Sequence, residues 1–194
     1  MHADKLFSCR QRCAMVGHDV WMCEAIQRQG NMGTQTIIVD TADAKFSDNP
    51  RDILEAPSLG SCISISIHDP DIKVGGVLIF ILPESTEVHS VTSDEHPFMF
   101  ADTAVVQFFQ TAIEWGIQPE RSKLALIGGG QVFGQEGEFN VGTRNGKAAV
   151  EAIAKLGLIP THQSIGGTFN RSMQLHIRTG EISVSIAGEE IEQL

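Results

Sequence analysis

The sequence predicts an α+β domain, and three observations carry that fold class. Several segments alternate apolar and polar residues with a period of two, which gives strands with one polar face. Only two segments carry a long helical stripe, and strands and helices do not alternate in the βαβαβ rhythm of a doubly wound sheet. The 194 residues, 42% of them hydrophobic, are enough for one domain whose core needs no metal or disulfide staple.

Periodic patterning begins at Thr36, so residues 1–33 read as an N-terminal extension, helical or loose, and 34–194 as the domain. The extension holds Cys9, Cys13, His18 and Cys23 as C-x3-C-x4-H-x4-C. These are ligand types for tetrahedral zinc without the usual paired C-x2-C spacing, and no metal is assigned. The alternative is a short helix bearing Cys9 and Cys13 one turn apart, ended near Gly30, Asn31 and Gly33.

Leu59 to His68 reads as a strand with Ile63, Ile65 and Ile67 on one face and Cys62, Ser64, Ser66 and His68 on the other. A turn at His68-Asp69-Pro70-Asp71 leads to Val74–Leu82, an apolar run ended by Pro83, so a hairpin buried on both faces of its second strand is expected. Residues 84–98 form a polar loop long enough to border a site. A helix follows from about Ala101, with Val105, Phe108, Phe109, Ala112 and Ile113 as its stripe, Asp102 at its positive end, and Gly116 and Pro119 as its stop. Lys123–Ile127 is a short strand. A second helix is expected from about Asn145 to Leu156, with Asn as cap, Val150, Ile153, Ala154 and Leu156 inward, and Gly157 as terminator. Two strands close the chain, with Met173, Leu175 and Ile177 on the apolar face of one and Ile182, Val184 and Ile186 on that of the other.

Charge and composition exclude several function classes. With 14 Lys plus Arg against 24 Asp plus Glu, a net charge of −10 and no basic run, the chain lacks the clustered cations that grip phosphate backbones, so no nucleic-acid partner is expected. The apolar run Val74–Leu82 is about half the ~20 residues a membrane crossing needs, so no membrane insertion is expected. Scattered cysteines and no secretory signal suit a reducing, cytoplasmic location. Gly128-Gly129-Gly130 leaves a strand, but a G-x-G-x-x-G fingerprint would need glycine where Phe133 stands, and no G-K-[ST] follows. The glycines then serve close backbone approach or positive φ, and no cofactor is assigned.

Cys62 is the candidate nucleophile. Parity places its thiol on the serine side of its strand, and a free cysteine needs a base or a positive environment to form thiolate near neutrality. The bland alternative is a small buried hydrophobe.

Here the residues carry a resemblance. Leu59-Gly60-Ser61-Cys62 with its apolar strand, Asp69-Pro70, Gly75-Gly76 and Leu82-Pro83-Glu84-Ser85 are similar to CheD, the chemoreceptor glutamine deamidase family. The likeness continues through Phe100-Ala101-Asp102-Thr103-Ala104-Val105, Ile127-Gly128-Gly129-Gly130-Gln131-Val132-Phe133, Val141-Gly142-Thr143-Arg144-Asn145, Gly166-Gly167 with Arg171, and Thr179-Gly180-Glu181. The resemblance implies a layered β-sheet and helix fold like the catalytic domain of cytotoxic necrotizing factor toxins. It also implies a reaction in which Cys62 attacks a receptor glutamine amide, with backbone N–H groups near Ser61 and Cys62 as the oxyanion region. The implied partners are chemoreceptor cytoplasmic domains and, in some systems, the phosphatase CheC.

Two positions depart from the family. Its general-base histidine, in a stretch resembling G-G-M-A-H-x-M-L-P, is Ile79 here, and a threonine six residues before the cysteine is Ala56. General-base help is worth ~10² to 10⁴ in rate, so an unassisted Cys62 is expected to be a poor catalyst. His68, six residues along the strand and hence ~20 Å from Cys62, is too far to substitute. His89 and His96 in the polar loop are the candidate replacement bases, with His162 behind them. Three readings follow: a deamidase with a replacement base, a CheD-like protein that acts by docking on receptors or a CheC-like phosphatase, and a cysteine hydrolase of small amides or esters on the same fold.

Overall fold

The computed structural model describes residues 33–87, 96–131, 140–186 and 189–194. The cysteine and histidine pattern of residues 1–32 and His89 lie outside them. Ten strands and two α-helices are assigned among the described residues. The strands form two five-stranded sheets.

One sheet has the order β1 (Gln35–Ile38), β3 (Asp52–Leu59), β8 (Arg171–His176), β9 (Glu181–Ile186) and β10 (Glu189–Gln193). The other has the order β2 (Asp43–Ser47), β5 (Val74–Phe80), β4 (Ile63–Asp69), β6 (Lys123–Gly128) and β7 (His162–Ile165). Helices α1 (Ala101–Glu114) and α2 (Val141–Lys155) cover one face of this second sheet. Ile63, Ile65 and Ile67 of β4 and Leu78 and Phe80 of β5 pack there against Ala104, Val105, Phe108, Ala149 and Ile153. The opposite face packs on the first sheet, with Val77, Ile79, Ala125 and Ile127 against Leu54, Ala56, Met173, Leu175 and Val184. The layers therefore run helices, sheet, sheet, which bears out the layered α+β class.

The β4–β5 hairpin forms as expected, antiparallel from Ile63↔Phe80 to Asp69↔Val74. The region expected as one strand from Leu59 to His68 is instead broken. β3 ends at Leu59 and β4 begins at Ile63, so Cys62 sits on a loop between strands of different sheets. The polar face of β4 is not a wet face either: Ser64, Ser66 and His68 are 0%, 0% and 2% exposed. Period-two alternation reports which way side chains point, and here a second sheet covers the polar side.

Helix α1 begins where expected, but Ile113, assigned to its stripe, is 61% exposed, because the stripe ends at Ala112. Helix α2 begins earlier than expected, at Val141, capped by the Asn140 side chain accepting from the N–H of Thr143 at 3.2 Å. Its inner face is Gly142, Asn145, Gly146, Ala149 and Ile153, while Val150, Ala154 and Leu156 point outward. The apolar residues misled because this helix approaches its sheet through small residues. A third closing strand, β10, joins the two expected, and β1, β2 and β7 complete sheet edges with too few residues to show a period.

At the far end of β4, buried Asp69 accepts from Arg121 Nε at 2.9 Å and Nη2 at 2.8 Å, and from the N–H groups of Gln118 and Asp71 at 3.0 Å each. Burial alone would raise its pKa, but the bonds from Arg121, Gln118 and Asp71 together outweigh burial and hold the carboxyl below its usual range. A depressed folded pKa gives stability that is full above the unfolded value of ~3.9 and is lost as pH falls through the folded value. Asp69→Asn is expected to cost about 1.5–3 kcal/mol near neutrality in urea unfolding. The gap between the two proteins should close below about pH 4.

Candidate functional site

The Cys62 loop is held by main chain. Ser58 takes a positive φ of 52°, and the Gly60 N–H turns back to donate to the Ser58 carbonyl at 2.9 Å. The carbonyls of Gly60 and Cys62 then accept from the N–H groups of Gly130 at 2.7 Å and Gly129 at 2.8 Å, which stitches the turn after β6 onto the loop. Gly128, with φ of 117°, has no room for a Cβ, which would overlap the Cys62 carbonyl oxygen. A Cβ on Gly142 of α2 would likewise overlap the Gly130 carbonyl oxygen. The triple glycine is thus accounted for by close backbone approach. Arg171 holds the neighbouring β7–β8 loop, its Nη1 donating to the Gly166 carbonyl at 2.7 Å, and the Gly167 carbonyl accepts from the Gln131 N–H at 2.7 Å.

Cys62 is half-buried at a cleft of about 70 Å³ whose lining includes Asp40, Thr41, Ser58, Leu59 and Ile79. Ile79 pairs with Ser64 across the hairpin, and Ser64 shares a face with Cys62, so Ile79 stands on the cysteine's side, 3% exposed. Ala56, fully buried on β3, belongs to the same inter-sheet core. Burial pushes the Cys62 thiol above the usual cysteine range, and its own backbone N–H offsets part of that rise. The one charged side chain among the lining residues is Asp40, whose sign cannot favour a thiolate. Asp40 and Thr41 reach the cleft from the β1–β2 turn, and no pattern in the sequence points to them.

No histidine is among the described residues that line the cleft. His68 is occupied elsewhere: its Nε2 lies 2.8 Å from the Ile177 carbonyl oxygen, and burial lowers its pKa. His162 opens edge strand β7 opposite Ala125, three register positions and hence ~10 Å from Gly128. His96 is exposed, in a turn whose Met99 carbonyl accepts from the N–H of Ile81 at 3.0 Å. That turn therefore runs beside the end of β5, two residues beyond Ile79. Asn145 was expected as a helix cap; instead it lies inside α2, and its Nδ2 donates to the carbonyls of Ser61 at 2.9 Å and Ile81 at 2.6 Å.

The fold and site define a layered α+β protein with a cysteine on a glycine-stitched loop between its two sheets. Residues 81–186 match the family described as CheD chemotactic sensory transduction. The chain is 32% identical over 158 residues to a protein of Solibacter usitatus named probable chemoreceptor glutamine deamidase CheD, covering 81% of this chain and 93% of that one. It is 32% identical over 159 residues to a CheD 1 of Syntrophus aciditrophicus bearing the same description, covering 81% of this chain and 98% of that one. A similarly named protein of Desulforamulus reducens is 32% identical over 163 residues, covering 82% and 96% of the two chains. This chain belongs to the CheD family. Among its described residues no helix is long and apolar enough to cross a membrane.

The raised thiol pKa predicts slow alkylation. Iodoacetamide labelling followed on the Cys62 peptide by mass spectrometry should be slow at pH 7 and reach its midpoint above the ~8.5 of a free cysteine. A midpoint below that value would show that something near Cys62 stabilises its thiolate.

Proposed function

We propose that this chain acts in chemotaxis adaptation as a slow chemoreceptor glutamine deamidase, with Cys62 as nucleophile and the cytoplasmic helices of receptors as substrate. The observation that carries the reading is the half-buried Cys62 thiol on a loop whose backbone is held on both sides of the cysteine. The names of the relatives, each a probable chemoreceptor glutamine deamidase, supply the substrate class. Residues 34–194 are the working domain in this reading, and its place of action is the cytoplasmic side of the receptor.

In the reaction, Cys62 Sγ bonds to the glutamine Cδ and the carbonyl electrons move onto oxygen, where the backbone N–H of the Ser61–Cys62 region meets them. The C–N bond then breaks, and nitrogen leaves as ammonia after taking a proton. Water attacks the thioester, releases glutamate and returns the thiol. With Ile79 in the family's histidine position, the first step depends on thiolate formed without a local base, a few per cent or less at neutral pH. His89 and His96 are the replacement bases this reading leaves for test.

A second reading, docking on receptors or a CheC-like phosphatase without chemistry, is favoured by one observation: Ile79 and Ala56 are packed into the apolar core. Incubation with receptor cytoplasmic fragments, with glutamine-to-glutamate conversion mapped by mass spectrometry, separates the two. The deamidase reading expects slow conversion that rises with pH, vanishes in Cys62→Ala, and gains up to ~10² to 10⁴ in rate in Ile79→His. Receptor binding without conversion in either the wild type or Ile79→His would establish the docking reading instead.

A further inference from the structure

Asn145 is fully buried inside a helix, where asparagine is a poor choice on propensity grounds. Its Oδ1 is buried without a partner among the described residues, a cost that alanine or leucine would avoid. In exchange its amide bridges two carbonyls from distant parts of the chain, Ser61 before the cysteine and Ile81 after β5. One side chain thereby ties together the two segments that carry Cys62 and Ile79.

The bond to Ser61 has a directional consequence. The described peptide bonds include no cis bond, and in a planar trans peptide C=O and N–H point in opposite directions. Drawing the Ser61 carbonyl toward α2 therefore turns the Cys62 N–H away from α2, toward the side of the strand where the thiol lies. Burial raises the Cys62 thiol pKa, and the Cys62 N–H offsets part of that rise. When the sulfur attacks an amide carbon, the oxygen that becomes an oxyanion lies one bond from the attacked atom, where an N–H beside the sulfur can meet it.

We propose that Asn145 is a positioning residue that orients the Ser61–Cys62 peptide so that the Cys62 N–H serves as the oxyanion donor. The inference rests on the deamidase reading above and names what aims its oxyanion region. The Val141-Gly142-Thr143-Arg144-Asn145 run noted in the sequence thus has a physical task for its last residue.

The test uses the full chain with Asn145→Ala, Asn145→Leu and, as a packing control, Ile153→Ala, which disturbs the same face of α2 without touching Ser61. Two quantities are read: the pH midpoint of Cys62 alkylation, and kcat and KM for receptor-fragment conversion. Both Asn145 variants should move the midpoint to higher pH and lower kcat, by up to the ~10² to 10³ seen when an oxyanion donor is lost, with KM near wild type. Ile153→Ala should lower the melting temperature while leaving midpoint and kcat near wild type. If one Asn145 variant does not fold, the other carries the test. Wild-type values in the Asn145 variants, or equal shifts in Ile153→Ala, would overturn the proposal. If the wild type converts no glutamine, the deamidase reading falls, and the midpoint alone decides whether Asn145 orients the peptide.

Discussion

Everything at the site hangs on the position of β4. It is hydrogen-bonded along one edge to β5 and along the other to β6, and both of its faces are covered. A strand held in this way cannot slip, because a one-residue shift would drive Ser64 and Ser66 into the helix layer and Ile63, Ile65 and Ile67 between the sheets. The residue that precedes such a strand inherits its fixed position. Cys62 is that residue, and the chain must then turn from one sheet to the other within Gly60 and Ser61.

The turn is possible because backbone meets backbone. Gly128, Gly129 and Gly130 lie against the Cys62 loop on one side and Gly142 of α2 on the other, at distances that side chains would forbid. A site built in this way takes its polar groups from the main chain and leaves the surrounding side-chain positions open to packing. Ile79 and Ala56 use them for packing: both are buried in the inter-sheet core. Burying an isoleucine side chain stabilises by about 1.5–3 kcal/mol, whereas a histidine there would need a partner for each ring nitrogen. Isoleucine at this position favours packing, and its side chain can neither accept a proton from the thiol nor stabilise a thiolate.

Electrostatics separates the two ends of β4. At one end Asp69 is surrounded by donors, Arg121 among them, and stays ionised although buried. At the other, Cys62 faces apolar side chains and the carboxylate of Asp40, and its neutral form is favoured. The chain can therefore keep a buried charge where a partner is supplied, and supplies none of positive sign among the described lining of its cysteine cleft. The main-chain N–H of Cys62 is the remaining favourable group, which is why the orientation of a single peptide matters here.

The α+β class, the β4–β5 hairpin, the start of α1, the strand β6 and the pair β8–β9 were legible in the sequence, because each has a period or a terminator that depends on nearby residues alone. So was the side of the strand on which Cys62 lies, since alternation carries over into a short loop. Short edge strands such as β1 and β7 carry no period to read, and small residues hid the inner face of α2. The sequence by itself determined which residues point together and which family motifs are present. Only the tertiary structure decided that the serine face of β4 is buried, that Cys62 stands on a loop between two sheets, and that Asn145 reaches Ser61. Those outcomes depend on which element comes to lie against another, and contacts between residues 84 positions apart leave no periodic trace in the chain.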